Sequence, residues 1–284
     1  MMPRTDGRLS LRFVYDADAA RTRLRVLEQR QPLKVVRGFD LDGGAALVHL
    51  HNLSGGVLAG DKLSLDVAVD AGARAQITST SATRAYRSPA EAGPSEFVTQ
   101  IQVGENALLE YLPDPLIPFA GARYSQRTHV SLSNGAGLFW WETLAPGREA
   151  YGELFSYDAL RLSFELRAAG MPIAIEHNHL EPALRPLTSL VRLGPFRYLS
   201  SFYICSAGAP ESTWDGMQRQ LLTLASSETS PVIIWGLTRL PAHGLVVRAL
   251  SQNGRDIARG LITFWRAAKQ ALYGQDAVIP RKIY

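Results

Sequence analysis

Apolar and polar residues alternate with a period of two over the first two thirds of this 284-residue chain. Leu63, Leu65, Val67 and Val69 share one face of a strand. Leu160, Leu162, Phe164 and Leu166 share another, whose opposite face is Arg161, Ser163, Glu165 and Arg167. Successive side chains of a strand point to opposite sides, so strands of this kind bury one face only. Turn signals at residues 70–72, 104–106, 133–135 and 168–170 separate them. Asn134-Gly135 is the strongest hairpin signal because both residue types tolerate positive φ. The expectation is therefore that most sequence neighbours pair antiparallel. Three of the turns carry one spaced pattern: Val69, Ala73, Ala75, Ile77; Val103, Ala107, Leu109, Tyr111; and Leu132, Ala136, Leu138, Trp140. The intervals of 34 and 29 residues are too irregular for a consensus solenoid. Their recurrence still predicts strand-turn-strand units that stack on one another.

Helical periodicity appears only late. Trp214, Met217, Leu221 and Leu224 fit one helical face behind Ser212 as N-cap, and Ile257, Leu261, Phe264, Ala268 and Leu272 fit another that stops at Gly274. Residues 232–236 and 245–250 read as strands between them, with no linker to set off a second domain. The predicted architecture is mainly β, with stacked antiparallel or β-helix-like sheets and two helices in the C-terminal half, in one composite domain over residues 1–284.

Charge changes this picture little. The chain carries 30 Lys and Arg against 26 Asp and Glu, a formal +4, but the basic excess lies at the two ends and no Lys/Arg run reaches five residues. A nucleic-acid partner is not expected from such a distribution. The lone cysteine, Cys205, follows Phe202-Tyr203-Ile204 and reads as a buried core residue. It leaves no internal disulfide framework, which suits a reducing compartment. The Met1-Met2-Pro3-Arg4 start leads into no apolar segment, and no stretch reaches 18 apolar residues. Neither a signal peptide nor a membrane partner is expected, and the expected location is cytoplasmic.

Candidate chemistry is sparse. The run Gly55-Gly56-Val57-Leu58-Ala59-Gly60-Asp61-Lys62 superficially resembles a phosphate-binding loop, yet Asp61 takes the lysine position and Leu63 follows Lys62 where Ser or Thr is required for Mg²⁺. What survives is a glycine turn demanded by close backbone packing, or a turn that presents Asp61 to a cation. His49-x-His51 and His177-x-His179 each put two imidazoles on one strand face, a spacing compatible with Zn²⁺ or Ni²⁺, but no cysteine cluster completes a site. Carboxylates caught in apolar alternation are more informative. Glu142 follows Leu138 and Trp140, Glu110 lies between Leu108 and Leu112, Glu153 between Tyr151 and Phe155, and Glu176 alternates with Ala174 and Asn178. A lone buried carboxylate costs several kcal/mol, so each must find a partner, a proton, water or a cation. Arg123, Arg127 and Arg148 are the partners in reach of the sequence argument, and solvent on a one-sided sheet is the other outlet.

Three long motifs, in order, resemble one family. They are His51-Asn52-Leu53-Ser54-Gly55-Gly56-Val57-Leu58-Ala59-Gly60-Asp61, then Thr78-Ser79-Thr80-Ser81-Ala82-Thr83-Arg84-Ala85-Tyr86-Arg87-Ser88, then Leu109-Glu110-Tyr111-Leu112-Pro113-Asp114-Pro115-Leu116-Ile117-Pro118-Phe119. With Trp141-Glu142, Gly147-Arg148, Gly152-Glu153 and Pro280-Arg281-Lys282, the resemblance to the urease accessory protein family UreD (UreH) covers nearly the whole chain. Ala59 stands where the family's turn has a second glycine, and Arg84 where Lys is common.

The resemblance implies a non-catalytic chaperone with a β-helix-like stack and two helices. It further implies partners UreF, UreG bound through UreF, and apo-urease, with GTP hydrolysis accompanying nickel delivery. On that resemblance no cofactor is expected to be tightly bound, and nickel is expected only in transit. A carrier that must release Ni²⁺ should avoid a full His/Cys cage, because Ni²⁺ stands high in the affinity order. Asp61, Glu110, Glu142, Glu153 and Glu176 are the expected weak transit groups, with Ser79, Thr80, Ser81 and Thr83 as hydroxyl lining. Two other readings compete. One is an interaction protein that only positions its partners; the other is a carbohydrate-active β-stack enzyme using Glu142 and a second carboxylate as acid and base.

Overall fold

The computed structural model describes residues 5–280. The Met1-Met2-Pro3-Arg4 start, and Arg281 and Lys282 of the C-terminal motif, lie outside the described residues. The chain opens with a hairpin of β1 (Asp6–Asp16) and β2 (Arg21–Arg30), followed by short β3 (Leu33–Lys34) and β4 (Gly38–Asp40). Next come β5 (Ala46–Asn52), β6 (Lys62–Val69), β7 (Arg74–Ser79), β8 (Thr83–Ala85), β9 (Ser95–Val103), β10 (Leu108–Tyr111), β11 (Leu116–Pro118), β12 (Arg123–Leu132), β13 (Gly137–Leu144) and β14 (Ala159–Ala168). The last part is β15 (Met171–Leu180), β16 (Tyr198–Ser206), α1 (Glu211–Glu228), β17 (Ile233–Arg239), β18 (Gly244–Ser251) and α2 (Gly254–Tyr273).

Two sheets result. The first has the order β15-β14-β12-β9-β6-β1-β2 and the second β17-β18-β16-β13-β10-β7-β5-β3. The long strands from β5 to β14 are dealt alternately to one sheet and the other, and within each sheet they run parallel. Val69 pairs with Val103 and Val103 with Leu132 in the first sheet; Ala75 pairs with Leu109 and Leu109 with Leu138 in the second. The 34- and 29-residue intervals of the sequence pattern are therefore the strand register itself. Backbone bonds stack the turns as well: Leu108 N–H donates to Ala73 O at 3.0 Å, and Gly137 N–H to Ala107 O at 2.8 Å. The mainly β, β-helix-like architecture with two late helices is what the sequence predicts.

Pairing of sequence neighbours is where structure and expectation part. Turns 70–72, 104–106 and 133–135 do not fold a strand back onto its own sheet; they carry the chain across to the facing sheet. Among the four turn signals, residues 168–170 alone close a hairpin, joining β14 to β15 with positive φ at Ala169 and Gly170. The physical difference shows in burial. β12 alternates buried and exposed positions towards its end, whereas β13 is buried at its first four successive positions, as a strand covered on both faces must be.

Three layers account for this. One apolar core, including Leu65, Ile77, Leu109, Leu138 and Trp140, lies between the sheets. A second, including Phe139, Phe202, Trp214, Trp235 and Phe264, lies between the second sheet and the helices. On α2 the buried stripe of Ile257, Leu261, Phe264 and Ala268 follows the predicted face. Gly274 ends the helix at φ 60° as the C′ glycine, its N–H donating to Gln270 O. α1 starts one residue before Ser212; Pro210 is its N-cap residue and no side chain caps it. Neither helix is apolar enough over its length to cross a membrane.

Candidate functional site

A cavity of about 470 Å³ lies between the two sheets. Its polar wall follows from strand parity. On β13 the inward positions run Leu138, Trp140, Glu142, and on β12 they run Tyr124, Gln126, Thr128. Gln126 Nε2 donates to Glu142 Oε1 at 2.6 Å, while Gln126 Oε1 accepts from the Tyr124 hydroxyl at 3.1 Å. The Trp140 indole N–H faces the same carboxylate without meeting hydrogen-bond geometry. Below it, the Trp140 ring stacks on Tyr111 with centroids 4.0 Å apart. Glu176, on edge strand β15, supplies the second carboxylate. Its Oε1 accepts from both the Tyr203 hydroxyl of β16 and the Arg248 guanidinium of β18.

Electrostatics single out Glu142. Burial strips its carboxyl of water and the nearby Glu176 charge opposes its own, so its pKa rises to about 7 although Gln126 pulls the other way. Tyr111 and Tyr124 are pushed up by the same burial and then by Glu142. Tyr203 rises through burial and the Glu176 charge. Thr128 Oγ1, buried in the wall, has no hydrogen-bond partner.

A smaller cavity of about 60 Å³ shares Thr83, Phe97, Tyr111 and Pro113 as walls with the first. It is lined by His51, Ser79, Thr80, Ser81 and Thr83; of the four predicted hydroxyls, Thr83 alone also lines the cavity of Glu142 and Glu176, and the other three line the smaller neighbour. Two of these hydroxyls also serve the fold, Ser79 donating to Asp114 Oδ2 at 3.0 Å and Thr80 to Leu50 O at 3.3 Å.

The other three predicted carboxylates lie elsewhere. Asp61 is 1% exposed and locks the glycine turn, accepting from Leu58 N–H at 2.9 Å and Thr5 N–H at 3.2 Å. Close backbone packing explains that turn: a Cβ on Gly56 would stand 2.5 Å from Arg84 O, and Gly55 has φ +70°. Glu110 points away from the cavity into the helix layer, where Lys269 Nζ sits 2.5 Å from Oε1 and Gln76 Nε2 3.4 Å from Oε2. Burial raises the Glu110 carboxyl against the opposing pull of Lys269. Glu153 is gripped by Arg148 through two bonds, which lowers its pKa, and also accepts from Ala120 N–H at 3.2 Å.

The histidine pairs do not assemble a site. His177 and His179 lie on the outer face of β15, the latter 3.2 Å from Glu181. His51 is held below its ordinary pKa by burial and by the charges of His49 and Lys34. No group of three or more His, Cys, Asp or Glu among the described residues is placed to hold a metal. Cys205 is buried, and burial pushes its thiol up. Sequence reasoning missed Gln126, Tyr203 and Arg248. The signal for Arg248 was present, a cation inside Leu245-Val246-Val247-Arg248-Ala249-Leu250.

A family model described as "UreD urease accessory protein" matches residues 5–283. The urease accessory protein UreD of Herpetosiphon aurantiacus is 46% identical over 284 residues, covering 100% of this chain and 98% of that protein. That of a Bacillus species is 28% identical over 250 residues (88% and 89%), and UreD 2 of Brucella abortus 28% over 271 (93% and 88%). By the extent of both matches, this chain belongs to the UreD urease accessory protein family.

Proposed function

We propose that this chain is a non-catalytic scaffold of urease maturation. It joins UreF, and UreG through UreF, to apo-urease, and lets Ni²⁺ pass between its sheets towards the urease site while UreG hydrolyses GTP. The observation that carries the passage is the cavity wall that holds Glu142 and Glu176, adjoined at Thr83 by the smaller cavity that Ser79, Thr80 and Ser81 line. Two carboxylates with hydroxyl oxygens bind Ni²⁺ loosely, where three or four imidazole or thiolate ligands would trap it. Carboxylates set between two packed sheets also suit passage of an ion better than attack on a sugar chain, which supports a non-enzymatic role; a cytoplasmic setting beside urease goes with that role rather than with the geometry.

Reconstituted urease activation tests this reading. Glu142→Gln and Glu176→Gln, combined in one chain, are expected to lower the nickel content of activated urease several-fold while UreF, UreG and apo-urease still co-purify. Unchanged nickel loading in intact complexes would leave only the positioning role.

A further inference from the structure

Glu176 already has a cation on it. Arg248 reaches from β18 of the second sheet and donates through Nη2 to Glu176 Oε1 on β15 of the first, so the pair bridges the sheets at the cavity wall. Tyr203 donates to the same oxygen, which is thereby fully engaged. The Arg248 side chain is 48% exposed and the Glu176 side chain 21% exposed. The guanidinium therefore approaches from the solvent side while the carboxylate lines the interior.

A divalent ion and a guanidinium compete for the charge of one carboxylate, and the positive charge held on Oε1 repels an ion approaching either oxygen. Arginine stays protonated at every physiological pH, so the competition cannot be relieved by proton loss and requires the side chain to swing away. Its half-exposed position permits that movement without repacking the core. From this geometry we infer that Arg248 is a resident counter-ion that closes the Glu176 end of the cavity and must be displaced before a divalent cation such as Ni²⁺ can bind there. The inference rests on the transit reading above and adds the residue that limits entry. It also accounts for a carrier site with little affinity of its own, since the resting chain supplies the cation that neutralises Glu176.

Ni²⁺ alone, titrated calorimetrically into the full-length chain at constant pH and salt, tests the inference. Arg248→Met is expected to tighten Ni²⁺ binding about tenfold or more, as removal of one positive charge beside a divalent ion requires. Adding Glu176→Gln to Arg248→Met should abolish the gain, whereas Arg248→Lys should keep the wild-type affinity. Should Arg248→Met fold poorly, Arg248→Gln carries the same expectation. Equal or weaker Ni²⁺ binding by the charge-removing variants overturns the counter-ion role. The transit reading fails separately, if Glu142→Gln and Glu176→Gln in the otherwise native chain leave Ni²⁺ binding and nickel loading unchanged.

Discussion

Glu142→Gln replaces a carboxyl with a neutral group of the same shape, so its effect on stability isolates the cost of ionising this position. The folded chain holds the Glu142 proton up to about pH 7, while an unfolded chain loses it near the ordinary carboxyl value of 4.5. Between those values the folded state binds the extra proton, so wild-type stability falls as pH rises, and above pH 7 the full cost is present. A separation of that size corresponds to about 3 kcal/mol. Most of it is incurred between pH 5 and pH 8. Gln has no proton to lose, yet its carboxamide oxygen still accepts from Gln126, the bond of 2.6 Å that orients the native side chain. The variant should therefore match the wild type near pH 4 and be more stable by about 2 to 3 kcal/mol at pH 8. Urea unfolding at a series of pH values reads this directly. With a denaturant slope of about 3 kcal/mol/M, the midpoints should separate by close to 1 M at the alkaline end. Midpoints that keep a constant separation from pH 5 to pH 8 would show that Glu142 ionises normally and that its surroundings are wetter than the cavity geometry implies.

Two further expectations concern carboxylates outside the cavity. Lys269→Met strands Glu110 in the helix layer without its counter-charge and should cost about 3–5 kcal/mol in urea unfolding, most of it recovered when Glu110→Met is added. A double variant no better than the single one would mean that the pair is not the origin of the loss. Asp61→Ala removes the acceptor for Leu58 N–H and Thr5 N–H. At about 1–3 kcal/mol per stranded donor, its thermal midpoint should fall by several degrees. Asp61→Asn, which retains one acceptor oxygen, should fall by less, and Ni²⁺ affinity should move with neither change.

Strand parity explains how much of this was legible beforehand. The period-two pattern that sets Glu142 in line with Leu138 and Trp140 also sets Glu110 in line with Leu108 and Leu112, and both alignments hold. What the pattern does not carry is the face each line occupies. β10 and β13 are neighbours in register, with Glu110 opposite Phe139 and Tyr111 opposite Trp140. One line therefore meets the helices and the other the facing sheet. Because the second sheet is apolar on both sides, hydrophobicity gives no cue to choose between them. The choice is made only when Lys269 arrives from α2, 159 residues along the chain.

The same limitation produced the hairpin expectation at Asn134-Gly135. A turn's residues fix local φ and ψ, but whether the next strand returns to its own sheet or crosses depends on which side of it is covered. Covered strands betray themselves by losing alternation, as β13 does at Leu138-Phe139-Trp140-Trp141. An unbroken apolar run directly after a tight turn is therefore the mark of a sheet change, and Leu108-Leu109 after residues 104–106 carries it in shorter form. Arg248 marks where that logic ends. It sits in the run Leu245 to Leu250, in a strand buried at Leu245, Val246, Val247 and Ala249. Arg248 itself is the exposed position of that strand, so its guanidinium lies at the open edge of the gap and meets Glu176 there, a contact that the sequence of β18 alone does not specify.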